Sequence, residues 1–574
     1  MKAAKEGIGG SVVYGIALFA LAAAAQLPAL FGGFELADSG FYMTFYANIF
    51  DHPETVEYNF MYWLSGIIGG ALLKIFPDTL LTMRIVGLLF NLGCVACVWS
   101  LMRDREYRLP LLAGSFAVAL GTLFNPLTFY YDILTPFLAL LSLTLLFHGL
   151  QSTGRKTIIL ILIAGLAAGV NTFSRIPNIL EGLFVLLVPL YCRIFRRGNA
   201  WRLSLLFIAG WVMGIVLTLL TMQLMGHLDI FLSNLRELTG IAGTSGDEAS
   251  HGMGNLILAQ FSAYRRFGLL AIKLLTLCAL WWFAGGFKIS NFWKNIISVA
   301  LFIPAAWMLW KSDIVTSLAA ISFGGALCGI AIVKNRNLKF LSAMGLAMMV
   351  ILPLGSDGAI YNGGTEALWL AVPVALAFLS SGFASTSYRK IARGSIYVIA
   401  IVIVISLSAL STARQKGLYF DNTPLAGINT SIEAKAATGI YTSRERGGAM
   451  TEILTALRGN VTPGDTLMVY GSAPMLNYLT GTLPAFGNSW PEQLSAAMLQ
   501  SKLDRLGSCP DILMVKFNTL SADWGIPSDE YAKGEIAQNI YHNAEKSEKI
   551  YNFIGENGYR AVKETPYFTL YSKR

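Results

Sequence analysis

Asp38 sits in a stretch unlike any other short connection in the chain. The segment GGFELADSGFYMTFYANIFDHPETVEYNF (32–60) holds Glu35, Asp38, Asp51, Glu54, Glu57 and His52, with no lysine or arginine. A long apolar run ends just before it, and Ser39 and Gly40 follow Asp38. A carboxylate held at the edge of an apolar segment can serve as a general base or a metal ligand. The same group could also be merely solvated or cap a short amphipathic helix over 41–50. Gly40 would ease a tight backbone there.

Asp132 is the second acid, in NPLTFYYDILTPF. An ionisable group at the mouth of an apolar helical pair is costly unless paired or lining a cavity; capping a helix N-terminus is the plainer use. Tyr130 and Tyr131 beside it suit interfacial anchoring; Tyr131, with Tyr42 in the first segment, is also a candidate for substrate binding. Arg175, in GVNTFSRIPNIL, offers the planar fork that fits a phosphate. Snorkelling to the membrane surface is its competing role. Arg265 and Arg266 close a long polar connection (226–266) and read as phosphate partners or membrane-edge anchors. Within it, GIAGTSGDEASHGMG (240–254) is a candidate lid. It is not a phosphate-cradling Walker loop, because no Gly-Lys-Ser/Thr follows; the lone His251 reads as incidental. Asp357 and Glu366 flank GAIYNGGT, where they would bind a polar substrate or solvate a loop.

The elements that must hold these groups are membrane helices. Of 574 residues, 55% are hydrophobic and 13% charged, about half the charge of a soluble domain; the mean hydropathy is +0.56. A crossing needs about 20 apolar residues. Candidate runs lie near 11–31, 60–76, 80–102, 109–124, 127–148, 157–173, 177–192, 203–226, 267–287, 295–310, 314–333, 340–354, 366–383 and 395–411. The net charge of +9 does not point to nucleic acid, since the basic residues cluster in alternate connections: 103–108, 155–156, 193–202, 288–294, 334–339 and 389–393. That is the orientation signal of a membrane protein. The first run is too long for a secretory signal core and reads as an anchor. If Lys2 and Lys5 are cytoplasmic, an odd number of crossings must separate residue 32 from Arg103. The weaker run there, Tyr58–Phe76, is broken by Gly66, Gly69 and Gly70 and carries Lys74, so it is expected to lie along the outer face. About thirteen crossings result.

Cys94 and Cys97 form a CxxC inside an apolar helix and read as packing residues; Cys509 stands alone in the tail. After Thr412 the charge density rises. Strand-like runs occur at Thr466–Tyr470, Ile512–Phe517 and Tyr567–Ser572, with helical stretches near Arg444–Arg458 and Glu535–Gly555. The expected architecture is a polytopic α-helical membrane domain (1–411) with outer-face interfacial helices (32–76), followed by a small soluble α/β domain (412–574) on the outer, periplasmic side.

This arrangement resembles the GT-C superfamily of membrane glycosyltransferases, and within it the protein O-mannosyltransferase and lipid A-modifying aminoarabinose-transferase group. Asp38 in ELADSG matches the family's acidic residue after the first membrane helix. Asp132 in YYDILTP matches a second acid in the next outer loop, and Arg175 in GVNTFSR resembles the basic residue that faces the carrier phosphate. The chain departs from the family where Ser39, not Glu, follows Asp38, and it lacks the His-Pro-Pro element, having only His52-Pro53. The resemblance implies an inner-membrane enzyme that moves a sugar from a polyprenyl-phosphate donor to an acceptor hydroxyl on a protein, lipid or glycan, with inversion. Asp38 would be the base and Asp132 its partner or a positioner of the acceptor. Arg175, with Arg265 or Arg266, would neutralise the leaving phosphate, and Tyr42, Tyr131 and Glu366 would complete the substrate-binding set. A divalent metal ion is permitted by the acids but has no specific ligand spacing. Membrane lipids surround the chain in any case. The rival readings are a lipid-linked glycan polymerase or ligase, which leans on Arg and His in a late loop, and a transporter, which would show inverted repeats that this sequence lacks.

Overall fold

The computed structural model describes residues 2–242, 253–287, 289–356, 358–382, 388–419, 421, 423–506, 513–517, 544–565 and 567–573. His251, Asp357, Cys509 and most of the glycine-rich 240–254 loop therefore lie outside the described residues.

Helices correspond to all fourteen apolar runs: α1 (Lys2–Phe31), α3 (Trp63–Ile75), α4 (Leu80–Leu101), α5 (Arg108–Gly121), α6 (Tyr131–Gln151), α7 (Arg155–Asn171), α8 (Leu187–Phe195), α9 (Ala200–Leu224), α11 (Met253–Gly285), α12 (Asn291–Lys311), α13 (Ile314–Ile332), α14 (Arg336–Ile351), α15 (Ala371–Gly382) and α16 (Tyr388–Lys416). Two more, α2 (Asp38–Asn48) and α10 (Leu228–Ala242), lie in connections. Among the described residues ten helices are long and apolar enough to cross a membrane. The expected number was about thirteen; α7, α14 and α15, at 17, 16 and 12 residues, fall below that length. Two of them stop early for a visible reason. α7 gives way to a turn at 172–174 and α14 to one at 352–355, and the carbonyls left open at such helix ends need donors from elsewhere in the protein. Arg175 is one, donating Nη2 to the carbonyls of Leu352 and Leu354.

The basic connections meet one another. Arg197 donates to the carbonyls of Leu150 and Ser152, Asn335 to the Tyr107 hydroxyl at 2.9 Å, and Tyr14 to the carbonyl of Arg108 at 2.8 Å. Between the two ends, α7 and α9 touch backbone to backbone. A Cβ on Gly165 or Gly169 would lie 2.1 Å from the carbonyl oxygens of Phe207 or Trp211, and one on Gly210 2.1 Å from that of Leu162. This small-residue contact is how helices bind in lipid, where burial of apolar surface supplies no drive. It also sets the height of Arg175 at the end of α7.

The C-terminal unit is a mixed five-stranded sheet in the order β4-β3-β5-β7-β6: β3 (Thr466–Tyr470), β4 (Leu483–Pro484), β5 (Leu513–Phe517), β6 (Arg560–Glu564) and β7 (Phe568–Ser572). β3 is parallel to β4 and β5, and β7 runs antiparallel to β5 and β6. Helices α17 (Arg444–Arg458), α18 (Met475–Thr480), α19 (Ala496–Leu506) and α20 (Ala544–Glu556) accompany it, and a two-residue pair, β1 (Thr430–Ser431) with β2 (Tyr441–Thr442), precedes it. This unit rests on the first connection. Met475 N donates to Leu36 O at 3.0 Å, and Thr44 Oγ1 to Pro474 O at 3.0 Å. Glu57, ahead of α3, pairs with Lys502 at 2.5 Å, and Asp78, behind it, accepts from Tyr478 Oη at 2.7 Å. Both ends of α3 therefore lie against the same unit.

Gly40 serves this contact by close approach, since its φ is not positive. A Cβ there would lie 2.1 Å from Met475 N. Gly40→Ala is expected to cost about 3 kcal/mol as the two backbones separate, read as a lower melting temperature in detergent and faster proteolysis of the tail. Gly448→Ala, in the open middle of α17 with nothing within 4 Å, should be neutral or slightly stabilising. A second expectation concerns Glu492, wholly buried and accepting from the backbone N–H groups of Gly471 and Ser472. Burial pushes its carboxyl up from 4.5 to about 7. The folded state then holds the proton more tightly than the unfolded chain. The stabilisation is complete below pH 4.5 and is lost as pH rises through 7. Thermal melts of Glu492→Gln should show a flatter pH dependence across this window than those of the parent protein.

Candidate functional site

The chain leaving α1 is held before it reaches Asp38. The carbonyls of Ala29, Gly32 and Gly33 have no intrahelical partner at this helix end, and the buried guanidinium of Arg84, on α4, donates to them at 3.0, 3.1 and 2.6 Å. Phe34 N then donates to Asp421 Oδ2 at 2.6 Å. Glu35 turns back to accept from Ser39 N at 2.5 Å, which places a carboxylate at the N-terminus of α2 where the helix dipole favours it. Asp38 is the first residue of α2, half-buried, and its Oδ2 accepts from the hydroxyl of Tyr419. Ser39 Oγ and Thr128 Oγ1, 2.8 Å apart, join this turn to the segment that leads into α6.

Asp132 lies in the first turn of α6, half-buried, within electrostatic reach of both Arg175 and Asp38. Tyr131 likewise feels Asp132, Arg175 and Asp38. The two acids and the arginine singled out from the sequence thus gather in one place, although they start on three separate connections. Arg175 is more than a snorkelling side chain: it is buried and clamps the end of α14.

Four phenols wall this place. Tyr62 stacks on Tyr131 with ring centroids 4.3 Å apart and 12° between planes, while Tyr42 meets Tyr62, Tyr130 and Tyr131 at 5.7, 5.2 and 5.7 Å. Burial, then the neighbouring Tyr62, Tyr131 and Asp38, hold the Tyr42 phenol well above its ordinary range. Burial and Asp38 do the same to Tyr419. Both stay protonated, and Tyr419 donates to Asp38. Glu35 is pushed to about 7 by burial and then by Asp38, against the opposing pull of Ser39 and Arg84.

Glu366 is buried beside Asp132, and neither of its carboxyl oxygens has a hydrogen-bond partner among the described residues. The glycine-rich 358–365 segment brings it there: a Cβ on Gly363 would lie 3.9 Å from Asp132 Oδ1. Arg265 is exposed on α11. Arg266 is taken up by Asp313 at 2.8 Å and lies over the Tyr361 ring at 4.7 Å, so it braces the rim of this loop and does not join Asp38. Among the described residues no group of three or more His, Cys, Asp or Glu could hold a metal ion.

Sequence reasoning passed over Arg84, Tyr62, Tyr419 and Asp421. Arg84 carried a signal, as a lone charge within an apolar run. The tyrosines and Asp421 carried none, because their neighbours are distant in the chain.

Neither protein-family models nor curated proteins give a match to this chain. Solved structures do. An oligosaccharyltransferase of Archaeoglobus fulgidus, in a complex with Zn and sulfate, is 10% identical, with 97% of this chain and 73% of that one covered and a TM-score of 0.48. The archaeal oligosaccharyltransferase AglB from the same organism, in complex with an inhibitory peptide and a dolichol-phosphate, is 12% identical over 88% and 69%, with a TM-score of 0.44. ArnT from Cupriavidus metallidurans, bound to undecaprenyl phosphate, is 12% identical over 99% and 98%, with a TM-score of 0.43.

Replacing Arg84 by Met would strip three carbonyls, two of them buried, of their donor. A loss of about 3 kcal/mol or more is expected for such a buried charged group, read as a drop in melting temperature of the detergent-solubilised protein.

Proposed function

We propose that this chain is a GT-C-type membrane glycosyltransferase that takes a sugar from a polyprenyl-phosphate and passes it to an acceptor hydroxyl on the outer, periplasmic face of an inner membrane. The observation that supports it most is the convergence of Asp38, Asp132 and Arg175 on one tyrosine-walled place at the end of the helices away from the basic connections. In this reading residues 1–411 form the transmembrane catalytic domain with about thirteen crossings, α3 lies along the outer face, and residues 412–574 are an outer α/β domain.

The chemistry follows from the groups present. A sugar or protein hydroxyl is a poor nucleophile at neutral pH until a base takes its proton. Asp38, held by Tyr419 at the start of α2, is that base. As the acceptor oxygen bonds to the anomeric carbon, the bond from that carbon to the phosphate oxygen breaks on the opposite side. The configuration inverts and the electron pair leaves with the polyprenyl phosphate. Arg175 neutralises the charge growing there; fixed charge aimed at a developing anion is often the largest single contribution to catalysis. Its Nη2 is anchored on Leu352 and Leu354, so the guanidinium meets the phosphate without having to reorganise. Asp132 orients the acceptor, and the faces of Tyr42, Tyr62 and Tyr131 bear against the sugar. Glu366 lies buried beside Asp132.

The test is turnover of the purified protein with a panel of labelled polyprenyl-phosphate sugars and with protein, lipid and glycan acceptors. Asp38→Asn is expected to lower kcat by about a thousandfold, and Arg175→Gln by about a hundredfold or more. Product analysis should show the opposite anomer. Failure of every donor to release sugar would sink the transferase reading, and full activity of Asp38→Asn would remove the base.

A further inference from the structure

Tyr419 stands 381 positions from Asp38 in the chain, yet its hydroxyl donates to Asp38 Oδ2. The segment carrying it is gripped on either side. Leu418 lies against the first connection, where a Cβ on Gly33 would meet Leu418 Cβ at 3.3 Å. Asp421 is wholly buried; it accepts from Phe34 N at 2.6 Å and from Thr442 Oγ1 at 2.7 Å, and it lies 3.7 Å from Arg446 Nε. Thr442 and Arg446 belong to β2 and α17, so this grip exists only when the C-terminal unit has folded. Phe34 and Gly33 belong to the chain that delivers Asp38. One short segment thus locks both partners of the Tyr419–Asp38 bond into a common frame.

We propose that Tyr419 is a positioning residue of the transferase site, its phenol selecting one orientation of the Asp38 carboxylate so that the folded C-terminal unit completes the base. The proposal rests on the reading of Asp38 as base. A carboxylate swings about its terminal bond with little resistance, and a donor fixed from a separate element removes that freedom. Of the other ionisable groups near Asp38, Glu35 is engaged by Ser39 N, while the rings of Tyr42 and Tyr131 pack in the cluster around Tyr62. Orientation before attack is worth orders of magnitude in rate when a misplaced group must otherwise be recovered in each turnover. Tyr419 acts through Asp38 without touching the sugar, so its removal should change kcat and leave donor KM alone.

Tyr419→Phe in the full-length protein is expected to lower kcat about 10- to 100-fold, with donor KM within twofold and the melting temperature nearly unchanged. Fluorinated tyrosines of graded acidity, inserted at 419, give a second measurement that does not disturb packing. As the phenol becomes a stronger donor it withdraws basicity from Asp38, so kcat should fall across the series by at least about threefold. If Tyr419→Phe folds poorly, the fluorinated series decides alone. A flat series, or a Phe variant with parental kcat, overturns the proposal while leaving the base reading intact, provided Asp38→Asn is inactive. An active Asp38→Asn variant removes the base and this proposal with it. Parallel losses in kcat, KM and melting temperature with a flat series would mark Tyr419 as purely structural, and that too overturns it.

Discussion

Carbonyls left open at the end of a membrane helix have no water to turn to, and this molecule meets that demand at α1 with a buried guanidinium. Arg84 reaches across from α4 to the oxygens of Ala29, Gly32 and Gly33. Such a charge is tolerated near a membrane when it is paired or hydrogen-bonded to backbone carbonyls. The cost of burying it is offset by fixing the direction in which the chain leaves the helix. All that follows, from Phe34 to Asp38, starts from that fixed exit. Asp421 then takes the next free N–H, at Phe34. Glu35 closes the turn on Ser39. Three charged side chains in succession convert a flexible exit into a rigid platform for a carboxylate.

Arg175 repeats the device on the other side of the site. The turn after α7 and the turn after α14 lie side by side, and one guanidinium donates to two of the carbonyls at the end of α14. Placement of that arginine depends in turn on the glycine contact between α7 and α9, where helix backbones meet with no side chain between them. Stability and function are therefore supplied by the same residues. The groups that quiet orphaned backbone at the helix ends are also those that set the electrostatics around Asp38 and Asp132.

The tail domain is bound into this scheme. Its α18 abuts α2 at Gly40, its Lys502 and Tyr478 bracket α3, and the linker before it carries Tyr419 and Asp421. A loosely tethered C-terminal domain would leave the first connection free to move. Here the domain presses on that connection from above while Arg84 holds it from below.

Much of this was legible in the residue order. Apolar runs, alternate basic clusters and a charged tail are local properties: every apolar run holds a helix, and the strands expected at 466–470 and 567–572 match β3 and β7 to within a residue. Asp38, Asp132 and Arg175 could be singled out because a charge beside an apolar run is locally expensive. Helix lengths at α7 and α14 could not be foreseen, since they depend on Arg175 meeting carbonyls more than 170 residues away. The same holds for Gly40, which looked like a turn residue and proved to be a point of backbone contact with Met475. Arg266, read as a phosphate partner or a membrane-edge anchor, pairs with Asp313, a partner 47 residues away that residue order does not reveal. Burial cost and hydropathy are summed along the chain, so the sequence alone could say which residues need partners. Which partner each one found depends on contacts between segments hundreds of positions apart, and only the folded chain decided that Tyr419 would meet Asp38.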